Sequence, residues 1–417
     1  MEYGLIGKVL VHSYSQYIHT LLTQKEYVLK SLDENEFIDF MKNKDFKGIN
    51  VTIPYKEKVI PYLDEIDKKA SLIGSVNTII NQNNYLKGYN TDYYGFIKMI
   101  KRHNINFENK KVLILGSGGT AKTIKQALID LSAKEIYIVS RTKKKNVITY
   151  QELDNYFDID CIINTTPYGM YPNYEKDTLI DVKKFPYLSL CIDIIYNPYK
   201  TNFLLEAKKR NIKIISGLEM LVEQAILASE LFFNVKYSEI VYKNVFHQTM
   251  LKYNNIVLIG MPASGKTTAS RILSKKLKME YLDLDEEFEK INNVSIKDYF
   301  KKYSESAFRE QENQIVKSLK DVRGKIISTG GGTFLNEENA EILSRNGIVI
   351  FLNRDLDSIK KIKSLKKTRP LLVDDNALQD LYEKRIEIYK KYADKEIYCK
   401  GTKLNTINLI LESLKWR

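Results

Sequence analysis

Apolar positions along this chain follow two rhythms. Runs of β-branched and aliphatic residues at 3 to 7, 46 to 53 and 73 to 80 alternate with stretches at 16 to 24, 34 to 44 and 55 to 70, whose apolar residues recur every three or four positions. The first rhythm predicts strands and the second predicts helices. Beyond residue 103 the alternation continues, with strands expected at 111 to 115, 135 to 140, 161 to 164, 190 to 194 and 212 to 215, and a helix from about 119 to 131. Such alternation builds a doubly wound parallel sheet. Two helices, about 219 to 233 and 237 to 250, close this half. A strand at 255 to 259 then opens another half, after a link of a few residues at 252 to 254.

Two of these strands run straight into glycine turns. KVLILGSGGTA at 111 to 121 and NIVLIGMPASGKTT at 255 to 268 each read as strand, turn and helix, which aims the free N–H groups of a helix start at phosphate. Gly116, Gly118 and Ala121 fit the spacing of a dinucleotide fingerprint. Gly260, Gly265, Lys266 and Thr267 fit a nucleoside-triphosphate loop, in which lysine reaches the β and γ phosphates and the hydroxyl reaches Mg²⁺. The chain therefore reads as a redox domain fused to a kinase domain. The expected fold class is α/β in three parts: a substrate-binding domain at 1–103 completed by helices within 219–250, a Rossmann-like domain at 104–218, and a P-loop kinase domain at 251–417.

Composition narrows the partners. A 417-residue chain with 44% hydrophobic content can bury several ordinary cores. The net charge of +13 is spread, with +6 up to residue 252 and +7 beyond. Spread charge without a basic arm points to small anionic substrates and away from nucleic acid. Cys161, Cys191 and Cys399 lie far apart without metal-ligand spacing, which suggests a reducing compartment. Lys8 and His12 interrupt the first apolar run, and nothing approaches a membrane span, so a cytoplasmic protein without a membrane partner is expected.

The ordered segments carry a resemblance. GLIGKVLVHSYS, GINVTIPYK, IGSVNT, GYNTDYYGF, GSGGTA, SRT, IINTTPYGM, DIIYNPYKT and GLEMLVEQA resemble shikimate dehydrogenase, in that family's order. From 254 to 400, GMPASGKTT, LDLDEEFE, FREQE, STGGGT, TRPLL and RIEIYKKYAD resemble shikimate kinase. The two families catalyse consecutive steps of chorismate and aromatic amino acid biosynthesis. The resemblance implies NADPH-dependent reduction of 3-dehydroshikimate to shikimate, then MgATP-dependent phosphorylation to shikimate 3-phosphate.

Reducing a ketone beside nicotinamide needs a hydride at carbon and a proton at oxygen, so a proton donor near a carboxylate is expected. Lys56 and Asp92 are candidates on separate loops, and the resemblance makes them the catalytic pair. By the same resemblance Ser13, Ser15, Thr52, Asn77, Tyr196 and Gln224 bind the ring and its carboxylate, with Gln16 standing where the family usually has proline. The NADP set is Gly116, Gly118, Gly119, Thr120, Ala121, Ser140, Arg141, Thr142, Lys145 and Gly217. An acid that would grip the ribose hydroxyls of NAD is missing after the second strand. A guanidinium beside a hydroxyl and lysines suits a 2′-phosphate instead. Ser140 replaces the family's usual asparagine, and the chain between Lys145 and Asp160 is short for the family.

Phosphoryl transfer is mostly positioning and charge neutralisation. Gly260, Ala263, Ser264, Gly265, Lys266, Thr267 and Thr268 are the expected ATP cradle, with Arg369 on a closing lid. Asp283 and Asp285 are expected to project from one face of a strand. The resemblance gives Thr267 and Asp283 to Mg²⁺, Asp285 to the shikimate hydroxyls as base, and Arg309, Gly330, Gly331, Gly332 and Arg385 to shikimate, with Glu312 orienting Arg309. Three alternatives stay open: a quinate-preferring or NAD-using dehydrogenase, a different small-molecule kinase half, and a non-catalytic sensor of pathway intermediates.

Overall fold

The computed structural model describes residues 1–10, 13–175, 178–361 and 375–415; His12, Arg369 and the lysines from 362 to 367 lie outside them. Contacts gather the chain into two compact units, Met1–Ala207 with Ile212–Thr249 and Lys208–Asn211 with Met250–Arg417. All three sheets are built in the α/β manner expected. No helix among the described residues is long and apolar enough to cross a membrane.

The first unit holds two six-stranded sheets. One runs in the order Val28–Ser31, Tyr3–Gly7, Gly48–Val51, Thr78–Gln82, Tyr85–Tyr89, Glu65–Ile66. It is mixed, because Thr78–Gln82 lies antiparallel to both its neighbours. Ile6, Phe37, Met41, Ile49 and Val51 are among the residues of its core. Strands Val28–Ser31 and Tyr85–Tyr89 were not foreseen. The second forms a hairpin through Asn83 and Asn84, whose φ angles of 54° and 67° suit the twist of a two-residue connection.

The helix expected over 55 to 70 is broken. Pro61 starts a short 3₁₀ turn at Ile60–Tyr62, the chain then extends through Glu65–Ile66, and Asp67 caps a new helix, Lys68–Ile73, by accepting from Lys69 and Ala70 N–H. Gly74, at φ 69°, ends that helix, so the strand expected from 73 begins only at Thr78.

The second sheet is entirely parallel, in the order Lys213–Ser216, Leu190–Asp193, Cys161–Asn164, Lys111–Leu115, Glu135–Ser140, Ile148–Thr149. Its order reverses between Lys111–Leu115 and Cys161–Asn164. Ligands of open α/β sheets bind at such a reversal, beyond the carboxyl ends of the strands. Gly116 follows Leu115 at that point.

The second unit is built on a five-stranded parallel sheet, ordered Glu280–Asp283, Lys325–Ser328, Asn255–Ile259, Gly347–Asn353, Lys395–Tyr398. The central strand is wholly buried and leads into Gly260. Helix Glu239–Tyr253 reaches almost to that strand, so the link expected at 252 to 254 is largely helical. Asp283 and Asp285 do not share a strand face either. Asp283 ends its strand and caps helix Leu284–Asn292, whose first turn contains Asp285.

Candidate active sites

Tyr55 fixes the first site. Its buried ring stacks on Phe37 with centroids 4.2 Å apart, and its hydroxyl donates to Leu32 O at 2.7 Å. The next residue, Lys56, is held further by Val76 N–H donating to its carbonyl at 2.8 Å. Asp92 comes from the first turn of helix Thr91–Arg102, which Asn90 caps. Lys56 Nζ lies 2.6 Å from Asp92 Oδ2 and 3.4 Å from Thr120 Oγ1. Both members of the pair are largely shielded, with side chains 14% and 10% exposed. A lysine, a carboxylate and the start of the dinucleotide helix Gly119–Asp130 therefore meet at one place.

Asn77 Nδ2 donates to Thr91 Oγ1 at 3.0 Å and to Gln224 Oε1 at 3.4 Å, while its Oδ1 accepts from Thr91 N–H. Gly95 lets the helix carrying Asp92 approach the helix carrying Gln224, since a Cβ there would sit 3.0 Å from Met220 O. Ser13 Oγ accepts from Ser15 N–H at 3.2 Å, and the Tyr196 ring lies 4.9 Å from that of Tyr14. Thr52 opens the turn that leads to Lys56, its carbonyl accepting from Tyr55 N–H. Gln16, in the proline position, donates from Nε2 to Tyr27 O at 3.1 Å, a tether that proline could not make.

On the cofactor side, Gly116 has φ 105°, and a Cβ there would meet Thr165 Oγ1 and Thr166 Cγ2 at 2.9 Å. Gly118 caps the helix and faces open space, whereas a Cβ on Gly119 would lie 2.8 Å from Ser75 Oγ. That hydroxyl is buried and has no hydrogen-bond partner among the described residues. Ala121 is in the core. Gly217 allows the closest approach of all, with Ile194 O 2.0 Å from where a Cβ would sit. Ser140 Oγ accepts from Thr142 N–H at 3.4 Å, and residues Arg141 to Lys145 are exposed. An open turn with a basic rim suits a dinucleotide phosphate. Glu152, further along the chain, pairs with Lys143 of this rim at 2.5 Å.

In the second unit Lys266 Nζ donates to Gly260 O at 2.9 Å and Met261 O at 3.0 Å. Thr267 Oγ1 donates to Asp283 Oδ2 at 2.8 Å, which brings together two oxygen groups of the kind a hard cation prefers. Ala263 has φ 61° and Gly265 φ 99°, Ser264 Oγ is buried without a hydrogen-bond partner among the described residues, and Thr268 follows in the helix Lys266–Leu277.

The glycine triplet is a hub. A Cβ on Gly330 would meet Asp285 Oδ1 at 3.0 Å and Glu312 Oε1 at 3.1 Å, one on Gly331 would meet Arg385 Nη1 at 3.1 Å, and one on Gly332 would overlap the Arg309 guanidinium. Arg309 Nη1 donates to Glu312 Oε2 at 2.8 Å, and Glu312 Oε1 accepts from Thr333. Arg385 is buried, its Nε lacks an acceptor, and burial followed by the Arg309 charge pulls its pKa down, against Tyr389. Tyr389, one turn beyond Arg385, donates its hydroxyl to Gly331 O. That contact went unread in the sequence, although the four-residue spacing places both side chains on one helix face.

Residues 5–79 match the family model described as the shikimate dehydrogenase substrate binding domain. A shikimate dehydrogenase (NADP(+)) of Clostridium perfringens is 38% identical over 271 residues, which cover 60% of this chain and 99% of the relative. The chain belongs to the shikimate dehydrogenase family. The remainder is not spare sequence, since residues 262–415 match the shikimate kinase model, so this shikimate dehydrogenase is fused to a shikimate kinase domain. Among solved structures, shikimate dehydrogenase 1 of Peptoclostridium difficile is 35% identical with a TM-score of 0.56, covering 60% of this chain and 98% of its own. A chorismate mutase/shikimate 5-dehydrogenase fusion protein from Clostridium acetobutylicum is 40% identical with a TM-score of 0.54, covering 59% and 95%.

Proposed function

We propose that this bifunctional shikimate-pathway enzyme reduces 3-dehydroshikimate with NADPH and phosphorylates the resulting shikimate at its 3-hydroxyl with MgATP. The observation that carries the reading is the Lys56–Asp92 pair, 2.6 Å apart and beside Thr120 at the start of the dinucleotide helix. NADPH, when bound, supplies the hydride. Lys56 Nζ gives a proton to the ketone oxygen, and Asp92 holds the ammonium in place for that transfer. Ser13 and Ser15 bind the substrate carboxylate, and Thr52, Asn77, Tyr196 and Gln224 bind the ring. Gly116, Gly118, Gly119 and Gly217 leave room for the cofactor backbone, while Ser140, Arg141, Thr142 and Lys145 favour its 2′-phosphate.

In the kinase half, the N–H groups of the 260 to 268 turn and Lys266 hold the ATP phosphates. Thr267 and Asp283 would hold Mg²⁺, whose charge offsets that of the transferred group. Asp285 takes the proton of the acceptor hydroxyl. Arg309 and Arg385 grip the shikimate carboxylate, with Glu312 orienting the first and Gly330 to Gly332 letting the ring approach. Arg369 is assigned to the lid by family resemblance alone. The domain limits at 103 and 218 and a cytoplasmic location belong to the same reading.

Lys56→Ala should lower kcat for reduction by about 10² to 10⁴, the usual weight of general acid catalysis, and leave phosphorylation intact. Lys266→Ala should do the reverse. Loss of both activities from either change in a folded protein would refute the assignment.

A further inference from the structure

The kinase sheet sorts its functional groups by side. From the central strand Asn255–Ile259, the neighbours Lys325–Ser328 and Glu280–Asp283 deliver the glycine triplet, Asp283 and Asp285 at their carboxyl ends. The neighbours on the opposite side, Gly347–Asn353 and Lys395–Tyr398, deliver Arg354 and Cys399. The first side holds groups assigned to the acceptor and to Mg²⁺. The opposite side therefore borders the other half of the phosphate loop.

Arg354 sits directly against that loop. Strand Gly347–Asn353 runs so close that a Cβ on Gly260 would lie 2.7 Å from Leu352 O. Arg354 Nη1 donates to Ala263 O at 3.2 Å, the carbonyl of the one loop residue other than glycine with a positive φ. Its Nε–H is shielded from solvent and has no acceptor among the described residues. A shielded guanidinium donor without an acceptor is unfavourable unless something accepts from it. The groups that arrive at this loop in the reaction are anionic oxygens.

We infer that Arg354 is a nucleotide-binding residue of the kinase half, clamping the phosphate loop at Ala263 through Nη1 and offering Nε–H to an oxygen of the nucleoside triphosphate. This rests on the reading of the second unit as an ATP-dependent kinase. The guanidinium fork suits the double task, since one edge can hold a carbonyl while the other meets an anionic oxygen.

The test is calorimetric titration of the full chain with ATP and, separately, with shikimate, for the unaltered protein, Arg354→Ala and Arg354→Lys, with dehydrogenase turnover as a control for intact protein. A charge-assisted hydrogen bond contributes about 1.5–3 kcal/mol, so R354A should weaken ATP binding roughly 10- to 100-fold while shikimate binding moves less than about twofold. R354K keeps the charge but lacks the Nε–H and should also bind ATP more weakly. Should R354A fail to fold, R354K decides alone. Unchanged ATP affinity in R354K, or equal losses for ATP and shikimate in R354A, would overturn the inference. Failure of the unaltered protein to bind ATP would instead reject the kinase reading on which it rests.

Discussion

Arg385 carries a buried positive charge beside a second one, Arg309, and among the described residues only Arg309 of the two has a carboxylate partner in the hydrogen-bond pattern, Glu312, with Glu305 beside it. Two neighbouring guanidinium groups repel unless an anion joins them, and the Arg385 pKa falls in consequence of burial and of Arg309. Arg385→Ala should therefore raise the shikimate KM of the kinase by roughly 10- to 100-fold, as expected for a charged hydrogen bond, with little change in the ATP KM. An equal rise in both constants would contradict a carboxylate role.

His19 answers to pH. It is buried and stacked on Tyr27 at 3.9 Å, and burial pushes its pKa down to about 3, with Asn50 opposing. Below about pH 6.5 the unfolded chain takes a proton that the folded chain refuses, so stability falls as pH drops from 6.5 towards 3. The loss attributable to this residue at pH 4.5 should be roughly 2–3 kcal/mol. In urea unfolding of the first unit at pH 7 and pH 4.5, His19→Phe should narrow the difference by about that amount. An unaltered difference would show that His19 does not set it.

Among the elements, glycine turns were the most legible and strand edges the least. Gly116 and Gly260 were readable because a strand, a turn and a helix must follow one another to present N–H groups to phosphate, and the glycines occur where positive φ is needed. The hairpin at Asn83 and Asn84 also had a signal, two asparagines between β-rich runs, but the single apolar face of Tyr85–Tyr89 hid it. The false helix over 55 to 70 arose because helical spacing persists through Pro61 and Asp67, residues that stop and restart the chain. Pairings such as Lys56 with Asp92, or Tyr389 with Gly331, depend on chain segments distant in sequence and have no local signature.

Gly217 shows how an element junction can be tested. It precedes helix Leu218–Phe233, which carries Gln224, and any side chain would collide with the Ile194 carbonyl, a backbone atom that cannot swing aside. Gly217→Ala should destabilise the first unit by about 1–3 kcal/mol, the range for overpacking, and lower its melting temperature. An unchanged melting temperature would mean that the Ile194 loop yields more easily than its packing implies.

At the scale of the molecule, the two units carry separate constellations, Lys56 with Asp92 in one and Lys266, Asp285 and Arg385 in the other. No residue assigned to one set is assigned to the other. The product of the first reaction is the acceptor of the second, so both steps should proceed from one purified chain without an added enzyme. The direct measurement is mass spectrometry of products after incubation with 3-dehydroshikimate, NADPH, ATP and Mg²⁺, omitting each in turn. Shikimate 3-phosphate should form only when all are present, and omission of ATP should leave shikimate. Absence of the phosphorylated product from the complete mixture, or its formation without NADPH, would contradict two sequential activities in one chain.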